Sequence, residues 1–185
     1  MLKKTSLTLI LLLTYAITAV AQGDQCTLKL AELPAAPELR GFYVGMTIEQ
    51  VKARLPKLQL KPADEFGFAS VNIFPDYETG IDKNTLAGVR TVTLDFLDGR
   101  VFSVWIGYNQ SFKWQTIDEF VSGIMGALKL PNAWRTKFRN RLLDCSDFTV
   151  GVIPVGQSPS LKLTDSVAKA TLGQRQAAKE EPEPQ

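Results

Sequence analysis

The chain contains no histidine. That absence removes the commonest general base, the usual imidazole metal ligand and the Ser-His and Cys-His nucleophile systems. Cysteine is nearly absent as well. There are two, Cys26 and Cys145, and no Cys-x-x-Cys spacing for dithiol chemistry. Neither a Gly-x-Ser-x-Gly elbow nor a phosphate-binding glycine loop occurs. Long apolar runs are confined to the first residues, and none later reaches the ~20 residues that a spanning helix needs. No catalytic, cofactor-binding or metal-ligating set follows from the pattern, so the chemistry left open is that of carboxylates, lysines or plain binding.

What is present begins at residue 1. Lys3 and Lys4 form a positive start, Leu7 to Ile17 a short apolar run, and Ala19-Val20-Ala21 a small-x-small site. This pattern predicts a signal peptide over residues 1–21, cleaved between Ala21 and Gln22. The expectation is an exported protein, periplasmic or secreted. Cys26 follows the polar Gly23-Asp24-Gln25 instead of the apolar-small-small triplet used for lipid attachment. No stable membrane anchor is therefore expected after cleavage.

Export changes two readings. The chain has 21 basic and 19 acidic residues, but two of the bases are Lys3 and Lys4. Without them the chain is formally neutral, with no bulk field to gather nucleic acid. An even cysteine count in an oxidising compartment predicts a Cys26–Cys145 disulfide. It would close a loop of about 120 residues, worth ~4–5 kcal/mol in the chain-entropy picture.

Residues 22–40 read as a Pro-containing lead-in, with Pro34 and Pro37. Thr47 and Gln50 form a capping-box pattern, and Met46 and Val51 stand at staple positions. Ile48, Val51 and Leu55 make an apolar helical face that Pro56 ends. Phe66 to Phe74 suggests a strand, and Pro75 to Gly88 a polar loop. Val89 to Leu97 and Arg100 to Tyr108 flank Asp98-Gly99, the signature of a type I′ hairpin. Simple alternation from that turn puts Val92, Leu94, Phe96, Val101, Ser103 and Trp105 on one face. Phe102, Val104, Ile106 and Tyr108 then share the other face with Thr91, Thr93, Asp95 and Leu97. That mixed face is the candidate partner surface.

Thr116 and Glu119 predict a second capped helix, lined by Ile117, Phe120, Val121, Ile124 and Leu128. Asn132 opens a third, over 133–143, with Trp134, Phe138 and Leu142 four apart and Arg135, Lys137, Arg139 and Arg141 between them. Phe148 to Pro154 and Ser160 to Leu163 read as short strands, and Asp165 caps a final helix. The polar end, 173–185, reads as a disordered tail.

Two carboxylate patterns merit a chemical reading. Asp95 on the mixed face could take part in acid-base work on a glycan only if a second acid converged on it. Asp76, Glu78, Asp82 and Asn84 offer oxygen ligands within one loop, but their spacing is not that of an EF-hand, and a solvated polar loop explains them.

The segment Gly41-Phe42-Tyr43-Val44-Gly45-Met46-Thr47-Ile48-Glu49-Gln50-Val51 resembles the Gly-Met-Thr-x-x-x-Val opening of SmpA/OmlA-type outer-membrane assembly lipoproteins and their β-lactamase-inhibitor-like relatives. That resemblance implies a capped helix leading into an antiparallel sheet, with one face left for protein contacts. The lipid-attachment cysteine of the anchored members is missing here. The whole chain is also similar to exported proteins of Gram-negative soil bacteria.

The expected fold is α+β: an antiparallel sheet of four or five strands with helices on one face, formed by residues 41–172 as one domain. The expected function is an exported, non-catalytic binding protein of the bacterial envelope, without cofactor or nucleic acid, whose partner is an envelope protein. The alternatives are a carboxylate hydrolase acting on envelope glycans and an inhibitor-like protein that blocks another protein's cleft.

Overall fold

A computed structural model describes residues 25–78, 84–109, 113–155 and 158–180. Residues 1–21, read above as a signal peptide, lie outside the described residues. Among the described residues the fold is α+β, with one antiparallel sheet of seven strands and three α-helices. The sheet has seven strands, not four or five: β1 (Phe68–Ile73), β2 (Val89–Leu97), β3 (Arg100–Tyr108), β4 (Arg135–Lys137), β5 (Asn140–Asp144), β6 (Phe148–Val155) and β7 (Ser158–Asp165). Their order is β1-β2-β3-β7-β6-β5-β4. The helices are α1 (Ile48–Arg54), α2 (Ile117–Leu128) and α3 (Ser166–Glu180).

The register gives the sheet two distinct faces. Val71, Leu94, Val104, Leu163, Val150 and Leu143 are successive partners across six strands, and all are buried. One residue along, Asn72, Thr93, Trp105, Lys162, Gly151, Leu142 and Arg135 run across the opposite face. The period-two alternation of strands produces this split into a core face and an outer face.

The β2–β3 hairpin turns at Asp98-Gly99, where φ is 50° and 77°. Both central residues are left-handed, as a type I′ turn requires. Beyond the turn the simple alternation fails. Phe96 pairs with Val101 but Asp95 pairs with Ser103, so Phe102 is an extra residue in β3. One inserted residue exchanges the faces of everything that follows it. Val104, Ile106 and Tyr108 therefore enter the core at 0 % exposure, while Ser103 and Trp105 turn to the outer face. The expected partner surface of Phe102, Val104, Ile106 and Tyr108 does not exist. Three of the four are central core, and Phe102 is buried beneath α3.

The expected capping box forms in full at Thr47 and in half at Thr116, where the reciprocal bond goes to the preceding residue instead. The Thr47 amide donates to Gln50 Oε1 at 2.8 Å and the Gln50 amide to Thr47 Oγ1 at 3.3 Å. The Glu119 amide donates to Thr116 Oγ1 at 3.1 Å, while the Glu119 carboxylate reaches back to the Gln115 amide. Val51 of α1, Leu55 just after it, and Phe120, Ile124 and Leu128 of α2 pack on the core face. The final helix crosses to the other side, where Leu172 and Ala168 cover Leu97, Phe102, Phe66 and Phe68. Helices thus lie on both faces. The final helix is also longer than expected. Residues 173–180, read as tail, continue α3, because Arg175 and Lys179 bind Asp98 and Glu65.

A further correction concerns residues 133–143. They form the β4–β5 hairpin instead of a helix. A helix there would leave the β6 edge unpaired, and β5 closes it by burying Leu143 at the end of the apolar row. Cross-strand packing overrides the four-residue spacing.

The lead-in is part of the domain. Cys26 and Cys145 form the expected disulfide, with Cα atoms 4.5 Å apart. Two 3-10 turns, Leu30–Glu32 and Pro37–Leu39, carry the chain over the core face. Ala36 and Leu39 are buried there. Among the described residues, no helix is long and apolar enough to cross a membrane.

Candidate functional site

The lead-in folds over the sheet without closing on it fully. Leu30, Leu33, Ala36 and Leu39 form one wall of a cleft, and Phe42 to Val44 form another. Leu163, from the buried row of β7, also lines it. The volume is about 400 Å³, within the roughly 300–1,000 Å³ usual for small-ligand sites.

One charged side chain lines this apolar space. Arg54, the last residue of α1, lays its guanidinium across Gly41. A Cβ at Gly41 would stand within contact of three guanidinium atoms, and Gly41 has φ of 78°. Glycine is favoured here because the backbone is left-handed, while the guanidinium is the mobile end of a side chain that could move aside for a Cβ. Among the described residues no carboxylate pairs with Arg54. An unpaired guanidinium at the rim of an apolar cleft presents several fixed donors to an anion. Tyr43, 47 % exposed, stands at the same mouth.

Behind the cleft lies a buried polar knot. Glu38 is only 9 % exposed, and Lys113 Nζ approaches its Oε1 at 3.3 Å. The Tyr108 hydroxyl donates to the Glu38 backbone carbonyl. Burial pushes the Tyr108 phenol far above its ordinary range, Arg40 opposes that shift and Glu38 adds to it. Tyr108 is therefore a neutral donor. Its ring packs edge-on against Trp114 and Phe120, with centroids 5.5 Å away in each case. This knot fixes the strand of chain from which Leu39, Gly41 and Phe42 enter the cleft.

The acid that the alternative carboxylate reading needs beside Asp95 is not at either of its register positions. Asp95 accepts the Ser70 hydroxyl at 2.7 Å, and its register partners are Ser70 and Ser103, not acids. Asp98 is bound by Arg175 in a two-pronged ion pair, both contacts 2.8 Å, which holds its carboxyl below the usual range. Of the loop oxygens, Asp82 lies outside the described residues; among those described, no three acids or thiols gather as a metal site. A Ser-x-x-Lys spacing does occur, Ser166 to Lys169, at the start of α3. No hydrogen bond joins the two among the described residues, and neither lines the cleft.

Simple alternation missed Arg54 and Glu38. Gly41 beside a short capped helix was the available signal, but nothing local says that the helix's last arginine folds back onto it. Comparison with known proteins adds no relative. The chain matches no protein-family model, no curated protein and no solved structure.

Proposed function

We propose that this is an exported binding protein of the bacterial envelope, working without catalysis, and that its ligand seat is the cleft between the lead-in and α1. The ligand class is a small amphiphile: an apolar chain against Leu33, Leu39 and Phe42, and an anionic end on Arg54. The carrying observation is the Arg54 guanidinium laid over Gly41 at the edge of an apolar space of about 400 Å³. Apolar walls supply affinity in proportion to buried area, and a lone cation fixes orientation. Export is supported by the signal pattern and by a disulfide that ties the lead-in to the sheet. The resemblance of Gly45 to Val51 to envelope assembly proteins points to the same compartment.

Calorimetry with decanoate and decanol tests the reading. Charge-assisted hydrogen bonds are worth ~1.5–3 kcal/mol, so Arg54→Ala should weaken decanoate binding by about tenfold or more and leave decanol nearly unchanged. Equal losses for both ligands, or no binding of either, would remove the proposed seat.

A further inference from the structure

The β4–β5 hairpin ends in a two-residue turn, Phe138-Arg139, between Lys137 and Asn140. Phe138 is 91 % exposed, the most exposed of the large apolar side chains described. Its φ is 55°, the left-handed region that favours Gly, Asn or Asp. An aromatic residue there strains the backbone and leaves its ring in water, so neither the turn nor the core accounts for it.

The charges around it are sorted by height. On the two rungs below the tip, Arg135 pairs with Asp144 and Arg141 with Asp118. At the tip, Lys137 and Arg139 are exposed, and no ion pair reaches either among the described residues. A protruding ring therefore stands between two cations with uncompensated charge.

We propose that this tip docks the protein on an anionic phospholipid surface, with Phe138 entering the headgroup layer and Lys137 and Arg139 meeting phosphates. A protein partner fits less well. A stable interface needs ~800 Å² from each side, and a two-residue turn offers far less. A fluid headgroup layer needs no complementary shape, only an apolar wedge and opposite charge. The dimensions also agree. Trp134 lies one residue before β4, so at ~3.4 Å per strand residue it stands roughly 10–14 Å behind the tip. Interfacial insertion reaches ~5–10 Å, which places Trp134 and Arg135 just outside the headgroups while the tip is buried. The cleft and the hairpin tip share lipid chemistry but no residues.

Vesicle co-sedimentation tests it, using protein purified as the expressing cell processes it, with its N-terminus read by mass spectrometry. The probes are vesicles of phosphatidylcholine alone and with a third phosphatidylglycerol. Expected is binding to the anionic vesicles only, weakened about tenfold by Phe138→Ser and abolished by Lys137→Glu with Arg139→Glu. Phe138→Gly should weaken binding similarly while raising the melting temperature, because glycine relieves the left-handed strain. Equal binding to both vesicle types, no binding to anionic vesicles, or indifference to these substitutions would overturn the proposal. Salt-sensitive binding to an acidic protein without vesicle binding would assign the tip to a protein partner instead. Arg54→Ala should leave vesicle binding unchanged, so failure of the cleft and failure of the tip are separable.

Discussion

Tyr108 shows how one residue ties the lead-in to the sheet. It is fully buried, donates to the Glu38 carbonyl, and carries a phenol that burial keeps protonated. Its folded value is raised, so its stabilisation is complete below the unfolded value of ~10 and is lost as pH climbs above it. The melting temperature should therefore fall more steeply above pH 10 in the wild type than in Tyr108→Phe. At pH 7 the same substitution should cost ~1–2 kcal/mol, because a buried carbonyl loses its donor. Parallel melting curves from pH 9 to 12 would refute the assignment. Residues such as Thr47 and Gln50 were legible in the sequence because a capping box is complete within four positions. Arg54 was not, since its meaning comes from a glycine thirteen positions earlier that only the folded chain brings beneath it.

Elements repeat that division between local and non-local causes. The hairpin turn was readable from Asp98-Gly99 alone, but the bulge one strand-start later was not, because Phe102 carries no turn residue to mark it. Deleting Phe102 should remove the bulge and leave Ser103 opposite Asp95 and Val104 opposite Leu94, so Val104, Ile106 and Tyr108 stay in the core and the hairpin still folds. Phe102→Ala should only thin the packing under α3, at a cost of ~3–5 kcal/mol or less. Urea unfolding checks both, and a deletion variant that loses the folded sheet altogether would contradict the register. The final helix depends on a clamp at its far end, where Arg175 holds Asp98 and the Phe66 carbonyl. Asp98's folded value is lowered, so the clamp's contribution is present above an ordinary Asp value of ~3.9 and fades as pH falls through the folded one. At pH 6, Arg175→Ala should lose amide protection along α3 but not along β3. Near pH 2 the variant and the wild type should converge. Unchanged protection in the variant would show that Leu172 alone holds the helix.

For the molecule as a whole, fold class and disulfide followed from pattern and parity, whereas strand count did not. The β4–β5 segment has helical spacing in Trp134, Phe138 and Leu142, and only the open edge of β6 makes a hairpin the better solution. The candidate site was hidden for a related reason: it belongs to the lead-in, whose irregular chain has no periodicity to read. The disulfide anchors that lead-in across a sequence separation of 119. Replacing both cysteines by alanine should cost ~2–5 kcal/mol in urea unfolding and loosen the segment that walls the cleft. A cost near zero would show that the hydrogen bonds from the Ser146 amide to the Leu28 carbonyl and from the Leu30 amide to the Asp147 carboxylate suffice.

Binding in the cleft is tested most directly by a backbone amide NMR titration of the processed protein with decanoate. Shifts should concentrate at Leu30 to Val44 and at Arg54, with the Arg54 side-chain Nε–H moving among the most. Shifts centred on the outer sheet face around Thr93 and Trp105, or none at saturating decanoate, would contradict the assignment of the cleft as the ligand seat.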